Sequence, residues 1–289
     1  RASAAARGDR LGIALGTWRQ GVFEFFLGRL DDARRHFDEL LGFYDPQAHT
    51  ELWASVGQDP RVTALAWSAV AHGIAGDSPR AARLLDEAVA WARRIDHPLS
   101  LAFALGVCAE FGGSWQAEPD QALSGSLARA HQLSRAACAA ECRRIGERSG
   151  LGLPVLLADH ATAMLAVQRG EVEAGIAAAH AAEVAMRAKG LATGLTLALA
   201  ELAGLCVAAG RVEDAERVLA RCDEYASTTG ERVAEPELVR LGGEAARARG
   251  APAADVEGMF RRALDLGLAM GAGRWVRRAQ ASLGKVTRP

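Results

Sequence analysis

One short pattern recurs along this chain of 289 residues and constrains its fold more than any other feature. A glycine is followed by a small residue and then, four positions later, by a large apolar residue. Gly28, Gly76 and Gly210 each begin such a copy in the same register. Glycine adopts the positive φ that ends a helix, and a small residue lets the next helix pack closely. The pattern therefore predicts antiparallel helical hairpins.

Two weaker copies begin at Gly170 and Gly250, and the interval from Gly76 to Gly170 is about twice the others. We therefore expect one further hairpin near Pro119 to Ala122. The fold class predicted is all-α: a right-handed superhelical solenoid of about six hairpins, with a capping helix from Arg274 to Lys285. Residues 1–289 would form a single domain.

The helix boundaries follow from apolar periodicity and from N-cap residues next to proline, such as Asp59-Pro60. A short helix is expected between the first two hairpins. The third hairpin looks irregular, with a possible inserted turn at Gly125. The predicted pairs are Arg10 to Phe26 with Leu30 to Phe43, Arg61 to Ala75 with Pro79 to Ile95, Leu99 to Phe111 with about Pro119 to Arg148, then pairs beginning at Pro154, Leu191 and Glu231.

The composition excludes several classes of protein. Half of the residues are hydrophobic and the net charge is −1, which disfavours nucleic acid as a direct partner. Five cysteines without a disulfide spacing indicate a reducing compartment, and the cytoplasm fits best. No signal peptide and no membrane-spanning segment is recognised. Because a helical pattern starts soon after Arg1, we interpret the chain as part of a longer protein.

Few residues form a pattern typical of catalysis. His131, Cys138 and Cys142 share a helical face and could hold zinc, although an apolar seam explains the same spacing better. Asp159 and His160 are adjacent, so on a helix they cannot orient one another. No phosphate-binding loop is found. We expect no enzymatic activity, no metal and no cofactor.

A binding surface is a better-supported hypothesis. The first helix of each hairpin would line the concave side, where large side chains could hold an amphipathic helix or a small molecule. The same aromatic residues could instead simply pack in the core. The expected groove is apolar in its first part and charged in its last. Its candidate residues are Trp18, Phe25, Phe111, Trp115, His160, Met164, Arg240, Glu244 and Arg247.

Several motifs occur in an order found in a known family. They are Tyr44-Asp45-Pro46 with Gly57-Gln58-Asp59-Pro60, Thr229-Gly230-Glu231-Arg232 with Glu235, Glu237-Leu238, Arg240-Leu241 and Glu244, and Phe260, Ala263-Leu264, Gly271-Ala272, Trp275, Arg278-Ala279 and Ser282-Leu283. The chain resembles the C-terminal tetratricopeptide region of bacterial multidomain signalling proteins. In those, a class III nucleotide cyclase or DNA-binding domain precedes an AAA-type or STAND-type ATPase. The chain departs from the family in the third repeat and at Pro236.

The resemblance implies a non-enzymatic domain that senses a ligand or partner and regulates an upstream ATPase, cyclase or transcriptional effector. The partner would be a protein or peptide, an amphipathic helix, the upstream domains themselves, or a small effector molecule. Two alternatives remain open: a structural or oligomerisation scaffold, and a metal-dependent enzyme built around His131, Cys138 and Cys142.

Overall fold

The computed structural model describes residues 10–45, 57–112, 125–191 and 193–286, without the side chains of residues 125–133. All regular structure in these ranges is α-helical, as the sequence predicts. The helices are α1 (Arg10–Phe26), α2 (Leu30–Phe43), α3 (Pro60–Ala75), α4 (Ser78–Arg94), α5 (Pro98–Phe111), α6 (Gly125–Ser149), α7 (Gly152–Gln168), α8 (Val172–Ala188), α9 (Leu195–Ala208), α10 (Val212–Thr229), α11 (Glu235–Ala248), α12 (Ala253–Met270) and α13 (Gly273–Val286).

Consecutive helices pack as six hairpins, α1 with α2 through α11 with α12, and α13 packs on the last pair. The predicted turn glycines are confirmed: Gly28, Gly76, Gly170, Gly210 and Gly250 all have φ between 71° and 96°. Gly175 shows why a small residue follows, because a Cβ there would lie 2.6 Å from a Val167 side-chain carbon. The chain is therefore an all-α solenoid of helical hairpins.

Local caps fix where the second and third hairpins begin. The Asp59 carboxylate accepts a hydrogen bond from the Val62 N–H (3.0 Å) at the start of α3, and Tyr44 donates its hydroxyl to the same carboxylate (2.6 Å). The Asp59 N–H donates to the Ser100 hydroxyl (2.8 Å), which ties the start of α3 to α5. One capping residue thus links the first three hairpins.

Pro236 lies in the first turn of α11, where its missing N–H costs nothing. The helix α6 is continuous from Gly125 to Ser149, and the residues just before Gly125, where the inserted turn was expected, lie outside the described residues. The short helix expected between the first two hairpins, and the stretch from Pro119 to Ala122, lie outside the described residues. Within the described ranges no helix is long and apolar enough to cross a membrane.

The solenoid closes on itself. The Phe26 carbonyl, at the end of α1, accepts hydrogen bonds from the N–H groups of Arg232 (2.7 Å) and Val233 (3.1 Å), just before α11. The helix α13 packs against α3. The Arg274 side chain is buried and its guanidinium lies 3.7 Å from the Glu201 carboxylate on α9. The sixth hairpin and α13 therefore contact the first two hairpins, and the inner helices surround a common space.

The closure gives a direct test at Gly273. A Cβ at this position would lie 2.5 Å from the Ala75 carbonyl oxygen on α3, so Gly273→Ala must push α13 away from the second hairpin. We expect a loss of about 1–3 kcal/mol in the free energy of unfolding, measured by urea denaturation. Gly284→Ala, on the same helix and with open space around it, should cost nothing. Equal stability of the two variants would contradict the closed arrangement.

Candidate functional site

A cavity of about 340 Å³ lies on the inner side of the solenoid. Its wall is formed by residues from α1, α3, α5, α7 and α9, which are the first helices of five successive hairpins, with Met186 of α8 and the turn before α9. This volume falls within the range of about 300–1,000 Å³ that is typical of small-molecule sites. The first helices of these hairpins therefore line this cavity.

Aromatic side chains form much of the wall. The Trp67 ring lies between Phe26 and Phe103, with centroid distances of 5.1 Å and 5.9 Å, and both pairs are edge-to-face. Phe25 lies behind this group, with its centroid 5.1 Å from that of Trp67. Such packing holds the rings in fixed orientations. The cavity therefore has a rigid apolar side that spans the first three hairpins.

One buried ion pair lies on the same wall. The His160 Nδ1 and the Glu110 Oε1 are 2.8 Å apart, and both side chains are almost completely buried. The other ring nitrogen of His160, Nε2, is buried and has no hydrogen-bond partner among the described residues. Buried polar atoms are usually paired, so this nitrogen is an exception, although it has almost no surface accessible from the cavity.

The charge of His160 follows from its surroundings. Burial lowers the pKa of the imidazole, but the nearby charge of Glu110 and the hydrogen bond to it, helped by Glu183, outweigh burial, so the pKa is raised above 6.5. Arg135 adds a second cation near Glu110, and its guanidinium donates to the Ala109 and Glu110 carbonyl oxygens at 2.6 Å and 2.8 Å. The pair therefore favours the protonated form of the His160 ring more than a free imidazole would.

The aromatic residues, His160 and Met164 that the sequence predicts for the groove fall into three groups. Trp18, Phe111 and His160 line the cavity. Phe25 and Met164 are buried in the core beside it and do not form its wall. Trp115 lies outside the described residues. The binding role of all of them stays a prediction.

Trp67, Phe103 and Glu110 are site residues that the sequence did not predict. The helices α3 and α5, which carry them, are buried on nearly every side, so hydrophobic periodicity does not distinguish one face from another. Glu110 was detectable only as a lone acidic residue in an apolar helix, a pattern that indicates a buried partner. That partner, His160, lies on a different hairpin.

The charged candidates lie elsewhere, between α11 and α13. Arg240 donates two hydrogen bonds of 2.8 Å to Glu237, which also accepts from Arg278 (2.6 Å). Glu244 accepts from Ser282 (2.7 Å). It also pairs with Arg247 and with Lys285, at 3.0 Å and 3.1 Å. These residues hold α13 on the sixth hairpin.

The two carboxylates of this network are kept ionised by their partners. Burial raises the pKa of Glu237, but Arg240 and Arg278 more than compensate and lower it to about 2. The pKa of Glu244 is also lowered, since hydrogen bonds from Ser282, Lys285 and Arg247 exceed the opposing effect of burial. Their cationic partners are already engaged within the chain, so a charged ligand would compete with these bonds.

The cysteines of α6 contact different groups. The Cys138 Sγ lies 3.2 Å from the Cys108 Sγ on α5, whereas Cys142 contacts the Ala102 carbonyl at 3.1 Å. The side chain of His131 is not among those described. Across the described residues, no three His, Cys, Asp or Glu side chains are placed to hold a metal ion. Asp159 pairs with Arg143 rather than with His160.

Comparisons with known proteins leave the family open. No protein-family model matches the chain, and no curated protein matches it either. Among solved structures, a signal transduction ATPase with numerous domains from Pyrococcus horikoshii, which carries a tetratricopeptide repeat sensor, is similar at 14% identity and a TM-score of 0.41. The match covers 94% of this chain and 41% of that structure. At this score the likeness supports no argument about function, and the fold rests on the helices themselves.

The protonation of His160 can be measured by NMR titration of the histidine ring nitrogens. We expect it to titrate above 6.5 in the wild type and below 6.5 in Glu110→Gln, because burial then acts without the opposing carboxylate. His72, whose pKa burial lowers to about 4, is the internal control and should not change. The stability that the charged pair contributes is fully present below pH 6.5 and is lost as the pH rises through the folded pKa of His160. An unshifted His160 in both proteins would contradict this assignment.

The network on α13 is tested by Glu237→Gln. Removing one charge from a buried, hydrogen-bonded group should cost about 3 kcal/mol at pH 7, measured by urea denaturation. Because the pKa of Glu237 in the folded protein is about 2, its contribution to stability is present above pH 4.5 and is lost as the pH falls towards 2. The unfolding free energies of the wild type and of Glu237→Gln should therefore converge in acid. Glu213→Gln, in an exposed pair with Arg249, should leave stability unchanged. A similar effect of both substitutions would argue against a structural network.

Proposed function

We propose that this chain is a non-enzymatic sensing domain of a longer signalling protein, in which a ligand bound in the inner cavity regulates an ATPase, a nucleotide cyclase or a transcriptional effector. The observation that carries the proposal is the shared wall of the cavity, to which the first helices of five hairpins contribute. A molecule bound there would contact most of the solenoid at once. A change in its occupancy would therefore act on the shape of the whole domain.

Phe26 links the cavity to the contacts that close the solenoid. Its ring lines the cavity, while its carbonyl accepts the hydrogen bonds from Arg232 and Val233 that close the solenoid. The turn at Gly194 lies close to the rings of Phe26 and Trp67 on the same side. A ligand that contacts Phe26 would bind more tightly either to the solenoid with these closing bonds formed or to the solenoid without them. Such a difference in affinity between two states is what a sensor requires.

The dimensions of the cavity favour a small molecule over the amphipathic helix also considered for this groove. A helix with its side chains is about 10 Å across and would need the inner helices to separate. A protein or peptide partner would thus require an opened solenoid, whereas a small molecule fits the closed one. The experiment below distinguishes both from a scaffold that binds neither.

Thr193 allows the cavity to be blocked without disturbing the core, since it is exposed and yet lies on the cavity wall. The probe is N-phenyl-1-naphthylamine, a neutral apolar dye that fluoresces when it leaves water. We expect saturable binding of one dye per chain, reduced at least about tenfold in Thr193→Trp by steric exclusion from the cavity. Thr228→Trp, an exposed position away from this cavity, is the matched control and should bind the dye normally.

Hydrogen exchange measures the coupling in the same samples. The amides of Arg232 and Val233 should exchange several-fold more slowly with the dye bound, whereas the Ala251 amide, bonded to Ala246 within its own turn, should not change. If the dye binds but the exchange of the Arg232 and Val233 amides does not change, the cavity is a binding site and the proposed sensing role is wrong. Absence of dye binding, with self-association in analytical ultracentrifugation, would replace the proposal with a scaffold.

A further inference from the structure

Two of the five cysteines face each other across the third hairpin. The Cys138 Sγ on α6 and the Cys108 Sγ on α5 are 3.2 Å apart, and both residues are half-buried rather than enclosed in the core. A disulfide joins two sulfurs at about 2.05 Å, so a bond here needs the sulfurs to approach each other by about 1 Å. The two thiols are therefore placed for a reversible disulfide.

The helices themselves hold these two positions opposite each other. On one side of the thiols, the Arg135 guanidinium of α6 donates to the Ala109 carbonyl of α5 at 2.6 Å. On the other side, the Cys142 thiol of α6 donates to the Ala102 carbonyl of α5 at 3.1 Å. In an antiparallel pair of helices, the residue number rises along one helix as it falls along the other. The two contacts therefore bracket the sulfur pair in a single register.

The other three cysteines are less accessible to reagents. Cys142, Cys206 and Cys222 are buried, and burial raises the pKa of each thiol. In contrast, the hydrogen bond between the two facing sulfurs lowers the pKa of Cys138 below its usual value. The thiolate is the reactive form of cysteine, so we expect Cys138 to react first.

We infer that Cys108 and Cys138 form a thiol–disulfide exchange site whose reaction partner is a low-molecular-weight disulfide. The Cys138 thiolate attacks one sulfur of that disulfide, which releases one small thiol and leaves a mixed disulfide on the chain. The Cys108 thiol then loses its proton to solvent and attacks the Cys138 sulfur, which expels the second small thiol. The chain loses two electrons and two protons, and the small disulfide gains them, so an excess of small thiol reverses the reaction.

The bond would fasten part of the cavity wall to its neighbouring helix. Val107 and Glu110, on either side of Cys108 along α5, line the inner cavity, and α6 packs against α5. The chemistry requires no ligand in the cavity and is independent of the proposed function.

The reaction is measured on the 289-residue chain in buffers of reduced and oxidised glutathione, followed by acid quenching and mass spectrometry. Digestion with trypsin and with a glutamate-specific protease cuts after Glu141 and separates Cys138 from Cys142, so linked peptides identify the bonded pair. We expect the bond between Cys108 and Cys138 in the wild type. It should persist in Cys142→Ala, the matched control on the same helix, and be absent in Cys138→Ser.

A second measurement needs no substitution. We expect the equilibrium constant for this bond, relative to glutathione, to be at least about tenfold larger in the folded chain than in the chain unfolded by urea, because folding holds together two sulfurs that otherwise meet only by chain motion. The four states form a closed cycle, so the oxidised chain should be more resistant to urea by the same factor.

Equal constants for the folded and unfolded chains would overturn the inference, since the fold would then contribute nothing to the bond. A bond to Cys142 would also overturn it, as would a mixed disulfide with glutathione that does not proceed to an internal bond. None of these outcomes involves dye binding, so the proposed function and the exchange site can each fail separately.

Discussion

The closure of this domain includes an unusual use of one carbonyl group. The last turn of any helix leaves carbonyl oxygens without partners, and most proteins satisfy them locally. Here the Phe26 carbonyl is satisfied by two amides from the far end of the chain, those of Arg232 and Val233. This long-range pairing turns a row of hairpins, which would otherwise contact only their neighbours, into a closed structure. The inner cavity exists because the inner helices are held around it.

Charge is balanced in two ways within this closed structure. The Glu110 and His160 side chains are buried beside the cavity with 2.8 Å between Oε1 and Nδ1, and the carboxylate raises the pKa of the imidazole. Between α11 and α13 the carboxylates of Glu237 and Glu244, which are equally buried, are each shared by several cations, which fasten α13 to α11. The first arrangement joins the third and fourth hairpins, whereas the second fixes a helix in place.

The hairpins could be predicted because their signal is local. Gly28, Gly76 and Gly210 end helices through a backbone conformation that glycine tolerates, and Asp59 caps a helix next to proline, so each feature needs only a few neighbouring residues. Closure and the pairing of Glu110 with His160 could not be predicted, since they join distant hairpins and leave no periodic trace. Within the site, Trp18 and His160 followed from the register, but Trp67 did not, because α3 is apolar all round.

The return of the chain to Phe26 also bears on how the protein is made. Hairpin solenoids assemble from contacts between neighbours, so each repeat can fold soon after it leaves the ribosome. The amides that bond the Phe26 carbonyl belong to residues 232 and 233, and α13, the last helix described, also packs against α3. Such non-local contacts form late and slowly. During synthesis the solenoid therefore stays open until the repeats after α10 emerge, and the surfaces that these closing contacts bury are exposed in that interval.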